Sequence, residues 1–257
     1  MSNHFKSLLE GGEPAIGTQL RSGNASIAEL FGHAGYDFLI IDAEHGPQTQ
    51  TGILSQLQAI AGTGATALVR VPVNDPTSFG TILDMGPGGI LAPLVKSAAE
   101  VEAGAKACRY PPRGNRGYGP ERAHRYGFDP DYFETANDNI LYTIIVETAE
   151  AIDAIDEIMS VDGLDAYFLG AYDLSIALGV PLQFAHPTFL EAVEKVVQAA
   201  TDAGVPLSTG VDPEEGAAGI KAAFDAGFRV ILSKGDVWIL ETVTRGAISD
   251  FRQAKQT

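Results

Sequence analysis

Cysteine is almost missing: the 257 residues contain one, Cys108, which excludes an internal disulfide and suits a reducing cytoplasm. It lies in an alanine-rich segment and reads as a buried helix residue rather than a nucleophile. Positive charge is also scarce. Seventeen Lys and Arg face thirty-three Asp and Glu, for a formal net charge of −16 and a pI near 4.6. That balance argues against nucleic acid and anionic membrane surfaces as partners. An anionic small substrate therefore needs a local positive centre, either a metal or an arginine. No apolar run approaches the roughly 20 residues of a membrane span. The N-terminal MSNHFKSLLEGGE has no basic region leading into a long apolar core, so no signal peptide is expected. A cytoplasmic protein without membrane or nucleic-acid partners follows as the expectation.

Apolar residues make up 45% of the chain, enough for a full core. The length suits one (β/α)8 barrel of about 250 residues. Short apolar runs alternate with helical patterns throughout, and no linker divides them. Strands are expected at Ala15–Leu20, Phe38–Ile41, Ala65–Val69, Gly89–Ala92, Leu141–Val146, Ala166–Leu169, from Pro206 to Ser208, and Val230–Leu232. Asn74-Asp75-Pro76 caps a helix, and Asp212-Pro213 starts another that runs to about Phe224. The rhythm breaks only between Arg109 and Asn139, a Gly- and Pro-rich loop carrying Arg109, Arg113, Arg116, Arg122 and Arg125. Loops of that length are usually functional or disordered. This one reads equally as a surface loop pairing with acidic neighbours and as a subunit contact or lid. The fold class is an α/β barrel, with residues 1–257 as one domain.

The second expected strand, FLII, runs into Asp42, Glu44 and His45 before Gly46-Pro47 stops it. Chemistry in parallel α/β barrels is built at such carboxyl ends. The other ends supply Arg70, Glu147, Asp173, Lys234 and Asp236. Singly, each carboxylate is more readily a helix cap than a ligand; together they point to a site. Glu147 and Asp173 are hard oxygen donors suited to Mg2+ or Mn2+. The amides of Gly170-Ala171 precede a helical turn and can hold a carboxylate. Arg70 is a fixed cation able to hold a developing enolate oxygen. His45 can move protons near neutral pH, oriented by Asp42 or Asp84.

The motifs IDAEHGP (41–47), VRVPVNDP (69–76), RYPPRGNRGYG (109–119), IVET (145–148) and FLGAYDLS (168–175) resemble the HpcH/HpaI family of class II pyruvate aldolases, over nearly the whole chain and in order. The resemblance implies a TIM barrel and a divalent metal (Mg2+, Mn2+ or Co2+). It also implies reversible cleavage of 4-hydroxy-2-oxoacids to pyruvate, or hydroxypyruvate, and an aldehyde. On it, His45 is the base, Arg70 the enolate stabiliser, and Glu147 and Asp173 the metal ligands. A homo-hexamer with exchanged C-terminal helices is also implied. Three positions depart from the heptanedioate branch: Ile145 stands for a glutamine, Gln19 for a tryptophan and Tyr172 for a small residue. All three bear on the pocket, and Tyr172 and Gln19 are expected to favour short hydroxylated aldehydes over succinic semialdehyde. Two alternatives remain at this level, a Schiff-base aldolase using Lys234 and a CoA-ester lyase of the citramalyl type. A barrel kept only as a scaffold is a third, disfavoured by the intact polar strand ends.

Overall fold

The computed structural model describes residues 3–255. Among them eight parallel strands form β1 (Ala15–Leu20), β2 (Phe38–Asp42), β3 (Thr66–Arg70), β4 (Gly89–Ala92), β5 (Leu141–Val146), β6 (Ala166–Leu169), β7 (Ser208–Gly210) and β8 (Val230–Leu232). Their order, β6-β5-β4-β3-β2-β1-β8-β7, is sequential around a ring, with β6 and β7 packed together at the seam. This is the expected (β/α)8 barrel.

Successive side chains of a strand point to opposite faces, and the core divides accordingly. Phe38, Ile40, Leu68, Leu91, Leu141, Ile145, Phe168 and Val230 fill the barrel interior. Leu39, Ile41, Val69, Ile90, Ala92, Ile144, Val146 and Tyr167 face the surrounding helices. Gly17 makes room inside: a Cβ there would fall 2.2 Å from the Phe38 ring. Helices begin where the sequence offers caps. Asn24, Thr49, Asp75, Ser97 and Thr148 each accept a backbone N–H in the first turn that follows.

Several elements differ from expectation. Residues His4–Gly11, read only as lacking a targeting signal, form a helix that places Phe5 against Phe38 with ring centroids 4.2 Å apart. It plugs the N-terminal end of the barrel. The helix expected over Ala149–Ser160 is broken at Ala154 into Ala149–Asp153 and Ile155–Met159. The seventh strand sits later than expected, because Ser208 to Gly210 rather than Pro206 find a partner in β8. Pro206 has no N–H to donate.

The arginine-rich loop spends its charge locally. Arg109 bonds Asp165 at 3.1 Å, Arg116 bonds Asp84 at 2.9 Å and Arg113 pairs with Asp138. Arg122 donates to the main-chain oxygens of Met85 and Leu57. Of the two readings, these contacts favour pairing with neighbours. The last helix, Asp236–Ala254, buries only Asp236 within the chain and leaves Val237, Leu240, Val243, Ile248 and Phe251 exposed. No helix among the described residues is long and apolar enough to cross a membrane.

Candidate active site at the carboxyl ends of the strands

The interior parity of the strands brings Gln19 of β1, Asp42 of β2 and Arg70 of β3 to the mouth of the barrel. It continues past the strand ends to Glu147, Asp212 and Lys234. Asp42 and Arg70 form the best-defined contact. Asp42 is fully buried and Arg70 nearly so. Arg70 Nε donates to Asp42 Oδ1 at 2.8 Å, and Nη2 donates to Oδ2. Burial would push the Asp42 carboxyl up. The Arg70 bond, the backbone N–H of His45 and the charges of Arg70 and Arg21 together bring it below the ordinary range. Asp42 is therefore an anion whose charge is committed to Arg70.

Its role differs from the expected one. Asp42 Oδ1 accepts the backbone N–H groups of Glu44 at 3.1 Å and His45 at 3.0 Å, so it shapes the turn rather than the imidazole. Asp84 is instead engaged by Arg116, which donates to its Oδ1 at 2.9 Å. The His45 ring is half-exposed, with Nε2 3.8 Å from Glu44 Oε2. Glu44, to which the sequence reading gave no role, also lies 3.1 Å from Arg70 Nη1. It links the guanidinium to the histidine. Its position next to two assigned residues in the same turn was the available signal. Burial raises the Glu44 pKa, Arg70 and His45 oppose this, and Asp42 and Asp173 add to it.

Glu147 stands opposite, 4% exposed, with Oε1 accepting Leu94 N–H at 2.7 Å. Burial pushes its carboxyl up to about 7; the Leu94 N–H opposes this, and the carboxylates of Glu44 and Asp173 reinforce it. The Glu147 carboxylate lies over Gly170. A Cβ at Gly170 would come within 2.7 Å of both Glu147 Cβ and Oε2. Asp173 is in the first turn of Ala171–Ala177, a helix with no side-chain cap. The Gly170 N–H, expected to hold a substrate carboxylate, is instead bonded to the Val146 carbonyl at 3.0 Å. That leaves Ala171 as the first uncapped amide.

These residues fit a hard divalent cation. Glu147 is buried with the carboxylates of Glu44 and the exposed Asp173 as neighbours, and the Arg70 charge only partly offsets their repulsion; oxygen-only donors favour Mg2+ or Mn2+ over softer metals. Among the described residues no three His, Cys, Asp or Glu side chains group as a cage. Glu147 and Asp173 would therefore be a two-carboxylate set, leaving other positions to water and substrate.

Lys234 does not look like a Schiff-base lysine. Its Nζ lies 3.2 Å from Asp212 Oδ2 and 5.6 Å from the centre of the Trp238 ring. Burial would lower its pKa, but hydrogen bonding to Asp212, with Tyr172 adding to it, raises the balance. A nucleophilic lysine needs the opposite shift. Asp236 serves the site from outside: fully buried, it accepts Arg21 N–H at 2.8 Å and Ser22 N–H at 3.1 Å and so anchors the loop after β1.

The HpcH/HpaI aldolase/citrate lyase family matches residues 16–229. A 4-hydroxy-2-oxovalerate aldolase of Rhodococcus jostii is 41% identical over 203 residues, 79% of each chain. A 4-hydroxy-2-oxo-heptane-1,7-dioate aldolase of Shigella sonnei is 39% identical over 206 residues, again 79% of each chain. The crystal structure of a Burkholderia cenocepacia HpcH/HpaI aldolase/citrate lyase family protein superposes with a TM-score of 0.90 at 33% identity, covering 98% of this chain and all of that one.

Proposed function

The chain belongs to the HpcH/HpaI aldolase/citrate lyase family, and from that premise we propose that it is a carbon–carbon lyase that reversibly cleaves 4-hydroxy-2-oxoacids to pyruvate and an aldehyde. The observation that carries the reading is the Arg70 guanidinium. It is buried, clamped by Asp42, and directed through Nη1 toward the acidic mouth. A rigid cation there is suited to an oxygen that gains charge during reaction.

The residues divide the work as follows. Arg70 takes the 2-oxo oxygen of the substrate. His45 removes the proton of the 4-hydroxyl; the C3–C4 bond breaks, its electron pair moves toward C3 and the 2-oxo oxygen, and the aldehyde departs. Charge on that oxygen is neutralised by Arg70, and C3 regains a proton to become the methyl group of pyruvate. Ala171, at the uncapped helix start, offers an amide to the substrate carboxylate. Glu147 and Asp173 would hold Mg2+, Mn2+ or Co2+, which when bound supplies Lewis acidity toward the oxoacid oxygens. Hydroxypyruvate is a second candidate oxoacid for the same groups. A homo-hexamer with exchanged C-terminal helices is consistent with the apolar residues left exposed on Asp236–Ala254.

Proton exchange at the pyruvate methyl group, followed by NMR in D2O, tests this reading directly. His45→Ala is expected to exchange about 10²- to 10⁴-fold more slowly while binding Mn2+ as the parent does. Wild-type exchange in that variant would remove His45 as the base. Gly170→Ala is expected to keep the fold but lower turnover by about 10², because the added Cβ must displace the Glu147 carboxylate and small misplacements cost that much. Unchanged kcat with alanine present would show that the position of Glu147 is not critical.

A further inference from the structure

Leu94 has a backbone conformation that its side chain does not explain. It lies just past β4, in the short connection that leads to the Ser97 helix cap, and its φ is +55°. That left-handed region is open to glycine and costly for a bulky L side chain. Among the described residues three other non-glycines share it, Arg125 and Tyr126 in the arginine-rich loop and Leu182 between two helices. Leu94 alone of the four follows directly on a barrel strand. Burial of its side chain does not offset the strain, because that side chain is 47% exposed. Pro93 and Val95, on either side, are buried.

What the conformation achieves lies on the main chain. The Leu94 N–H is turned inward and donates to Glu147 Oε1 at 2.7 Å, while the side chain stays at the surface. The next residue is tied down in the same way: Thr148 Oγ1 donates to the Val95 carbonyl at 2.9 Å. Thr148 is itself buried and accepts the Ala151 N–H at 3.0 Å, which fixes its hydroxyl. Two bonds, each spanning 53 positions of sequence, thus latch residues 94 and 95 onto residues 147 and 148. Glu147 Oε2 in turn packs over Gly170, where a Cβ would come within 2.7 Å of it. One carboxylate oxygen is held by an amide, and the other lies over a glycine. A leucine does not take a left-handed conformation by preference. It persists where its surroundings determine it, and these two bonds are the surroundings that do so.

We propose that Leu94 is a positioning residue: its left-handed turn, latched by Thr148, presets the Glu147 carboxylate so that the divalent cation meets a ligand already oriented. The proposal rests on the reading of Glu147 as a metal ligand. It assigns the role to the backbone at position 94 and to the Thr148 hydroxyl, and none to the leucine side chain. Hydrogen bonds that orient a ligand from behind typically change metal affinity by about 10- to 100-fold when lost.

Calorimetric titration of the full chain with Mn2+, with thermal melts alongside, tests it. Leu94→Gly removes the whole side chain but adopts positive φ freely, and is expected to bind Mn2+ as the wild type does. Leu94→Val keeps an apolar side chain but disfavours the left-handed region, and is expected to bind about 10- to 100-fold more weakly. Thr148→Val deletes the latching hydroxyl at nearly constant volume and is expected to weaken Mn2+ binding to a similar extent, with Thr148→Ser restoring it. If the leucine side chain acted through packing or contact, the order at position 94 would reverse, glycine binding worse than valine; that order would overturn the proposal. Wild-type affinity in Leu94→Val and Thr148→Val, whatever their melting temperatures, would overturn it as well. The Thr148 pair and Leu94→Gly carry the test even if Leu94→Val fails to fold. Titration of the wild type and of Glu147→Gln separates the two levels. No binding by the wild type, or equal binding by Glu147→Gln, would defeat the metal reading of Glu147. Normal wild-type binding that Leu94→Val leaves unchanged would defeat the positioning role alone.

Discussion

Excess chelator is expected to abolish cleavage of a 4-hydroxy-2-oxoacid, and Mg2+, Mn2+ or Co2+ to restore it. The methyl protons of pyruvate are too weakly acidic for a histidine to remove unaided, so the charge formed on the 2-oxo oxygen needs strong stabilisation. Arg70 supplies one positive centre, but Asp42 and Glu44 already share it. Across the mouth, Glu147 has its carboxyl pushed up to about 7 by burial and by its acidic neighbours, which marks a place short of positive charge. Losing several kcal/mol of electrostatic stabilisation corresponds to a rate loss of about a thousandfold or more. Asp173→Asn should weaken Mn2+ binding and turnover together, because it removes one of two anionic donors. Calorimetric titration with Mn2+ and steady-state rates measure the two effects separately. Full activity in excess EDTA, together with a borohydride-trapped adduct on Lys234, would reverse the assignment in favour of Schiff-base chemistry.

Arg70→Lys is expected to lose about 10²- to 10³-fold in kcat although the charge is kept. The guanidinium makes two parallel contacts with Asp42 through Nε and Nη2 and directs Nη1 elsewhere, a geometry that a flexible ammonium cannot reproduce. Asp42 is fully buried, so removing its partner outright exposes a second effect. Arg70→Ala should lower stability by about 3–5 kcal/mol, the cost of stranding a buried charge. Thermal melts read alongside kcat distinguish the roles. A lysine variant that melts close to wild type yet turns over poorly identifies Arg70 as catalytic. Near-normal turnover in that variant would reduce Arg70 to a structural partner of Asp42.

Much of this protein is determined by local pattern. Apolar runs such as Phe38–Ile41 and Leu141–Val146 are short, contain β-branched residues and are followed by polar or Gly-Pro stops. Buried parallel strands require that pattern, and the strands formed there. Caps such as Asp75-Pro76 and Ser97 work within a few residues of backbone, so helix starts were readable too. The grouping of Asp42, Arg70, Glu147 and Asp173 at one end was likewise available, because every strand of such a barrel runs the same way.

Pairing within that group was decided only by the tertiary structure. Asp42 lies near His45 in sequence but spends its carboxylate on Arg70, 28 residues away, because the register sets Asp42 directly opposite Arg70 across β2 and β3. Asp84 goes to Arg116 because the long loop folds back over the helix that ends there. Glu44 becomes the link between Arg70 and His45, and Asp212 meets Lys234, only once separate strand ends are brought around a single ring. Periodicity determines which face a side chain takes. Charges separated by tens of residues find their partners through the three-dimensional closure of the barrel, where burial makes each unpaired group expensive and so selects the pairing.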